Sequence, residues 1–163
     1  MTRSSILGVL ACSLVACKAD LPTLTDANRG LDARCTGPFA DQLVDSFPTT
    51  LANASAVLGA PDSVTATLAV NDIITIGFVG LRGITDSSGA DVRIHATFSA
   101  DATGLVRVAG PDMTFVFAAN LTATTTDVDI AVAMVDFATY VRIVGVTGEI
   151  QLDAVEAIHD ACP

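Results

Sequence analysis

Tryptophan is absent from this 163-residue chain, tyrosine occurs once, at Tyr140, and aromatics make up only 5% of the residues. A binding platform built on stacked indoles is therefore excluded, and Tyr140 is the one phenol that could stack on a ligand ring. Positive charge is scarce too. Lys18 is the only lysine, and eight basic residues face 18 acidic ones for a net charge of −10. Such a surface repels phosphate backbones and anionic headgroups, which argues against nucleic acid or a bare lipid surface as partner. It would attract divalent cations. Catalytic signatures are missing as well. Ser87 and Ser88 lack a Gly-x-Ser-x-Gly elbow. There is no His/Cys metal spacing and no phosphate loop. The chain reads as not an enzyme.

What is present is small and β-branched. Half of the residues are apolar, and Ala, Val and Thr dominate, which favours strands over helices. The length suits one domain.

The first residues read as a targeting segment. "MTR" is a short basic start, and "SSILGVLACSLVA" is an apolar run too short to span a bilayer of ~30 Å as a helix. It ends in Leu14-Val15-Ala16-Cys17, which resembles the lipobox of bacterial lipoproteins. On that reading residues 1–16 are a signal peptide and Cys17 is lipidated. Acyl chains at ~0.8 kcal/mol per buried CH₂ would anchor the protein without a spanning helix. The alternative is an ordinary secretory signal cut near Ala16 or Ala11. Residues 17–34, mixed in charge with Pro and Gly, read as a lipidated tether. The expected location is extracytoplasmic, at the outer membrane or cell surface.

With Cys12 removed and Cys17 acylated, Cys35 and Cys162 remain, one near each end of the folded part. In an oxidising compartment they are expected to pair, the alternative being two free buried thiols.

From residue 35 the period is mostly two. Strands are expected at 42–47, 63–70, 73–79, 91–98, 104–110, 113–119, 127–134, 139–146 and 149–158. Asn71-Asp72 reads as a hairpin-like turn. In "DVDIAVAM" the alternation places Val128, Ile130, Val132 and Met134 inward. Residues 51–58 suggest a helical turn or two. At Asp153 the apolar phase slips, the mark of a β-bulge that re-aims a carboxylate. Eight to nine turn-punctuated strands without a βαβ rhythm predict an all-β antiparallel sandwich, a jelly roll over 35–163. In such a sandwich the first and last strands can lie side by side, which a Cys35–Cys162 bridge needs, since the Cα atoms must come within ~7 Å.

Several segments in order resemble a known family. "FADQLVDSF" followed by "SAVLGAPD" is similar to its opening strand and LGxPD turn. "DIITIGF", "ITDSSGADVRI", "VRVAGPDMTFV" and "ATYVRIVG" with "IQLDAVEAI" match its later strands, over about residues 36–160. The family is the galactose-binding-domain-like jelly roll of bacterial surface proteins, related in fold to discoidin domains. The resemblance implies a disulfide between the two ends and a structural Ca²⁺ between an early loop and the last strand. Two departures stand out. Ala96, after His95, replaces a frequent acidic residue, and Gly-Pro-Asp-Met replaces Ser-x-Asp-Gly in one hairpin.

Candidate Ca²⁺ ligands are Asp62, Asp86, Asp91, Asp153 and Glu156, since calcium takes six to eight oxygens from acidic, Gly-containing loops. The alternative is that these residues cap their own turns. Candidate ligand contacts are His95, Tyr140 and Arg142, each set against a plain reading as a surface strand residue. The function expected is a lipid-anchored, non-catalytic binding module for a glycan or protein partner at the cell envelope. The rival is a structural envelope subunit packed on a partner without a free ligand.

Overall fold

The alternating segments build two stacked antiparallel sheets in a computed structural model that describes residues 37–78 and 83–159. The signal segment, the tether and all four cysteines lie outside those residues. The strands are β1 (Gln42–Phe47), β2 (Ala66–Leu68), β3 (Ile73–Gly77), β4 (Ile84–Thr85), β5 (Val92–Phe98), β6 (Thr103–Ala109), β7 (Val116–Leu121), β8 (Thr125–Val128), β9 (Phe137–Ala138), β10 (Tyr140–Thr147) and β11 (Ile150–Ala157). One sheet runs β1-β3-β10-β6-β7 and the other β2-β11-β5-β8, while β4 and β9 form a short pair. No helix among the described residues is long and apolar enough to cross a membrane. The all-β sandwich expected from the sequence is the fold observed.

The core lies between the sheets and follows the period of two. Ile74 and Ile76 on β3, Val106 and Val108 on β6, and Val141 and Ile143 on β10 point inward from one sheet. Ile94 on β5, and Ile150, Leu152 and Val155 on β11, meet them from the other; all are fully buried. Leu68, Phe78 and Ile84 close the ends.

Two strand expectations fail for local polar reasons. The stretch 127–134 is a strand only to Val128; Ile130–Ala133 is a 3-10 turn. The Asp129 carboxylate accepts the Ala131 N–H at 2.9 Å, and the Asp91 carboxylate accepts the Ile130 N–H at 3.0 Å. These side-chain acceptors compete with the ladder and win. Val132 and Met134, expected inward, are 64% and 93% exposed. Strand β7 begins at Val116 and not 113, because Asp112 holds a turn by accepting the Thr114 N–H. The helical turn expected within 51–58 is a 3-10 turn, Ala54–Val57, with Val57 buried.

Asn71-Asp72 is a turn but not a hairpin, since β2 and β3 belong to different sheets. Asn71 takes the left-handed conformation at φ 70°, and the Asp72 carboxylate accepts the Ala69 N–H. The resulting arch docks on β10: Asn71 N–H donates to the Gly145 carbonyl, and Gly145 N–H donates to the Asp72 carbonyl, both at 2.9 Å. Only glycine allows this approach, because a Cβ on Gly145 would sit 2.1 Å from the Ala69 carbonyl oxygen.

The ends of the described chain are neighbours. Phe39 pairs with Glu156, Ala40 N–H donates to the Val155 carbonyl, and Ala157 N–H donates to the Pro38 carbonyl. The expected Cys35–Cys162 bridge itself lies outside the described residues.

Gly145→Ala is expected to destabilise the fold by about 2 kcal/mol, as overpacking against backbone does. A urea titration measures it; an unchanged midpoint would contradict the tight arch.

Candidate functional site

The bulge at Asp153 organises the outer face of the four-stranded sheet. The register of β11 against β5 shifts between Leu152 and Ala154, so Asp153 stands out of the ladder. Its carboxylate reaches across to the chain entering β2. Oδ1 accepts the Asp62 N–H at 3.1 Å and Oδ2 the Ser63 N–H at 3.2 Å. Asp62 in turn accepts the Val64 N–H at 2.8 Å, so it caps its own turn. Ser63 is held at φ 70°, an uncommon conformation for a residue with a Cβ.

The propped segment forms one wall of a hollow of about 370 Å³. Ser63 and Thr65 line that wall; Gln151 and Asp153 on β11 and His95, Ala96 and Thr97 on β5 form the floor, with Thr124 opposite. Thr97 Oγ1 donates to the Gln151 side-chain oxygen at 3.3 Å, and His95 Nε2 lies 3.3 Å from Glu156 Oε2. Beyond this pair, Arg93 clasps Asp127 through Nε and Nη2 at 2.8 and 3.1 Å. The guanidinium holds the Asp127 carboxyl below the usual carboxylate range. The outward side chains here are thus mostly polar, with short hydroxyl and amide groups around one half-buried imidazole.

No nucleophile and base are assembled in the hollow. Ser63 shares the lining with His95 but no hydrogen bond joins them, and Ser63 lends its backbone N–H, not its hydroxyl, to the nearest carboxylate. The carboxyls displaced from their ordinary range, at Asp86, Asp112 and Asp127, are not part of the lining.

The five carboxylates expected as one calcium set do not converge. Asp62 and Asp153 serve the wall just described, and Glu156 faces His95. Asp86 and Asp91 do meet, and Asp129, which the sequence reading missed, joins them: one carboxylate oxygen of each lies within 4.8 Å of the others. Asp91 is fully buried, and its oxygens accept the Ser87 and Ile130 N–H groups at 2.9 and 3.0 Å. Partial burial, then the charges of Asp91, Asp129 and Asp136, push the Asp86 carboxyl up. Three acidic groups crowded in this way suit a hard cation, which would remove their repulsion. The turn-capping role expected as the alternative is present at Asp62 and Asp91.

The expected ligand contacts separate as well. His95 lines the hollow. Tyr140 and Arg142 lie on β10, on the outer face of the opposite sheet. Tyr140 covers Gly77, where a Cβ would come within 3.3 Å of its ring. Arg142 is committed locally, with Nε donating to Thr75 Oγ1 at 2.9 Å and its guanidinium 3.7 Å above the Phe115 ring. Sequence reasoning missed Ser63, Thr65, Thr124 and Gln151, because only cross-strand register brings them around His95.

Two solved structures resemble the chain distantly. The chain is similar to the CBM32 of AlyQ in complex with 4,5-unsaturated mannuronic acid, at 11% identity and a TM-score of 0.48, covering 74% of this chain and 98% of that one. It is also similar to a pectin binding carbohydrate binding module, at 6% identity and a TM-score of 0.45, covering 72% and 91%. No family model and no curated protein matches the sequence.

Proposed function

We propose that this chain is a non-catalytic, lipid-anchored binding module that takes the hydroxyls of a glycan into the hollow around His95. The observation that carries this is the lining itself: Ser63, Thr65, Thr97, Thr124 and Gln151 are uncharged donor–acceptor groups, held by a sheet and a propped segment. Such groups match sugar hydroxyls, which donate and accept in alternation. The reading rests on this chemistry and not on the likeness in fold. With no aromatic ring in the lining, stacking is lost, and binding is expected near ~1 mM, about −4 kcal/mol.

The test is calorimetric titration with neutral oligosaccharides chosen from a glycan array, in calcium. Gln151→Ala and Thr97→Ala are expected to weaken binding about tenfold each, the worth of one hydrogen bond. Silence of the whole array, or unchanged affinity in both variants, overturns the site.

The proposal includes a calcium ion held by Asp86, Asp91 and Asp129, with remaining oxygens from backbone and water. It would stiffen the 86–91 loop against the 130–133 turn and take no part in chemistry. In EDTA, Asp86→Asn should melt above the wild type, because one of three repelling charges is gone. In calcium the order should reverse. A melt indifferent to both EDTA and calcium removes the ion.

The proposal also places Cys17 under acyl chains outside the cytoplasm and joins Cys35 to Cys162. The pairing of 38–40 with 155–157 supports the bridge, since it brings the ends of the described chain together. Closing so long a loop is worth up to about 5 kcal/mol in the chain-entropy picture. Intact-mass analysis reads both: acyl mass on Cys17, and a mature chain short of two hydrogens. A free-thiol, unacylated product contradicts both.

A further inference from the structure

The two outer faces of the sandwich differ in kind. On the four-stranded sheet the outward rows are polar: Thr67, Gln151 and Thr97 in one, Glu156, Arg93 and Asp127 in another. On the five-stranded sheet one outward row reads Phe47, Ile73, Val144 and Leu105, ending at Asn120. Phe47 there is 62% exposed, and the other three side chains are only half-buried. The next outward row reads Asp45, Thr75, Arg142, Arg107 and Phe117, with Phe117 46% exposed. Antiparallel sheets normally turn polar residues to water. An outward face of Phe, Ile, Val, Leu and Arg has the composition of an interface core.

The electrostatics of that face are also unfinished. Arg107 stands directly opposite Arg142 across two strands, a like-charge pair that costs stability. Arg142 is occupied by Thr75 and Phe115. Among the described residues, Arg107 and Asp45 form no ion pair with another group of the chain. They sit in the same row on β1 and β6, three strands apart.

We infer that this face is covered by a second copy of the chain, related by a two-fold axis that runs along the strands between β3 and β10. Rotation about that axis lays β1 over the partner's β6 and β3 over the partner's β10. Each row then meets itself reversed. Phe47 packs on the partner's Leu105, Ile73 on the partner's Val144, and Asp45 meets the partner's Arg107, each contact occurring twice as an isologous interface requires. The rows are self-complementary in polarity, and the two unmatched charges find each other. Four strands at ~4.8 Å spacing, with outward residues ~6.8 Å apart, give a face on the order of 20 Å by 20 Å; two copies bury roughly 800 Å², the size of a weak, transient contact. The dimer is therefore transient, not permanent. It sets the two His95 hollows on opposite outer surfaces and leaves both open.

Sedimentation equilibrium of the purified protein, from about 1 to about 500 µM, tests it. The expected result is a monomer passing to a dimer in that range. Asp45→Arg and Arg107→Glu should each raise the dissociation constant about tenfold or more, and the double variant D45R/R107E should return it to near the wild-type value, because reversing both ends restores the pair. Thermal melts of each variant check folding. Both side chains are exposed, so Asp45→Arg should melt close to wild type, and Arg107→Glu, which removes the repulsion with Arg142, should melt at or above it. A monomer at every concentration overturns the inference and gives the face to another occupant. A double variant weaker than either single overturns the proposed register.

Discussion

One bulged residue sets the geometry on which the rest of the sandwich depends. Strand β11 lies between β2 and β5 in its sheet, and it must bury Ile150 and Leu152 before Asp153 and Val155 and Ala157 after it. A strand without a bulge would put the second pair on the wrong face, since a shift of one residue inverts every side chain. The extra residue at Asp153 absorbs the change of phase. It also frees a carboxylate from the sheet, and that carboxylate holds Asp62 and Ser63 by their backbone N–H groups. The wall of the hollow and the phase of the core are therefore settled at the same position.

The polar and apolar outer faces follow from the same alternation. Core-facing positions on both sheets are filled by Val, Ile, Leu and Ala, which leaves the opposite phase free to differ between sheets. One sheet spends that freedom on Thr, Gln, His, Glu and Arg around a hollow. The other carries Phe47, Ile73, Val144 and Leu105 beside two arginines, in a chain of net charge −10. The proposed glycan hollow and the proposed self-association face thus fall on opposite sheets of the sandwich.

Much of this was legible in the residues. The strands containing Ile94, Val106 and Val141 keep their period of two, and each is found where the alternation puts it; those containing Leu43 and Leu152 keep their place but carry a bulge. The bulge showed itself as the slip between Leu152 and Val155. The stretch Ile130–Met134 misled because its apolar alternation is real, while the acceptors that break it, on Asp91 and Asp129, act through folding distance or through a cap. The arch at Asn71-Asp72 looked like a hairpin because the turn chemistry is the same; what separates the strands is the docking of Ala69 on Gly145, far along the chain. Of the site, His95 was legible as an outward polar residue. Its neighbours Ser63, Thr124 and Gln151 were not, because threonine and serine on strands are ordinary and only register gathers them. Asp129 escaped notice because the strand reading gave it no special position.

The most direct test of this architecture is amide hydrogen exchange in the wild type and in Asp153→Ala. The bulged carboxylate, as the acceptor of the Asp62 and Ser63 N–H groups, predicts that their slowed exchange is lost in the variant while the amides of Val141, Ile143 and Leu152 keep theirs. Equal protection of Asp62 and Ser63 in both proteins would show that the wall stands without Asp153, and would contradict the account.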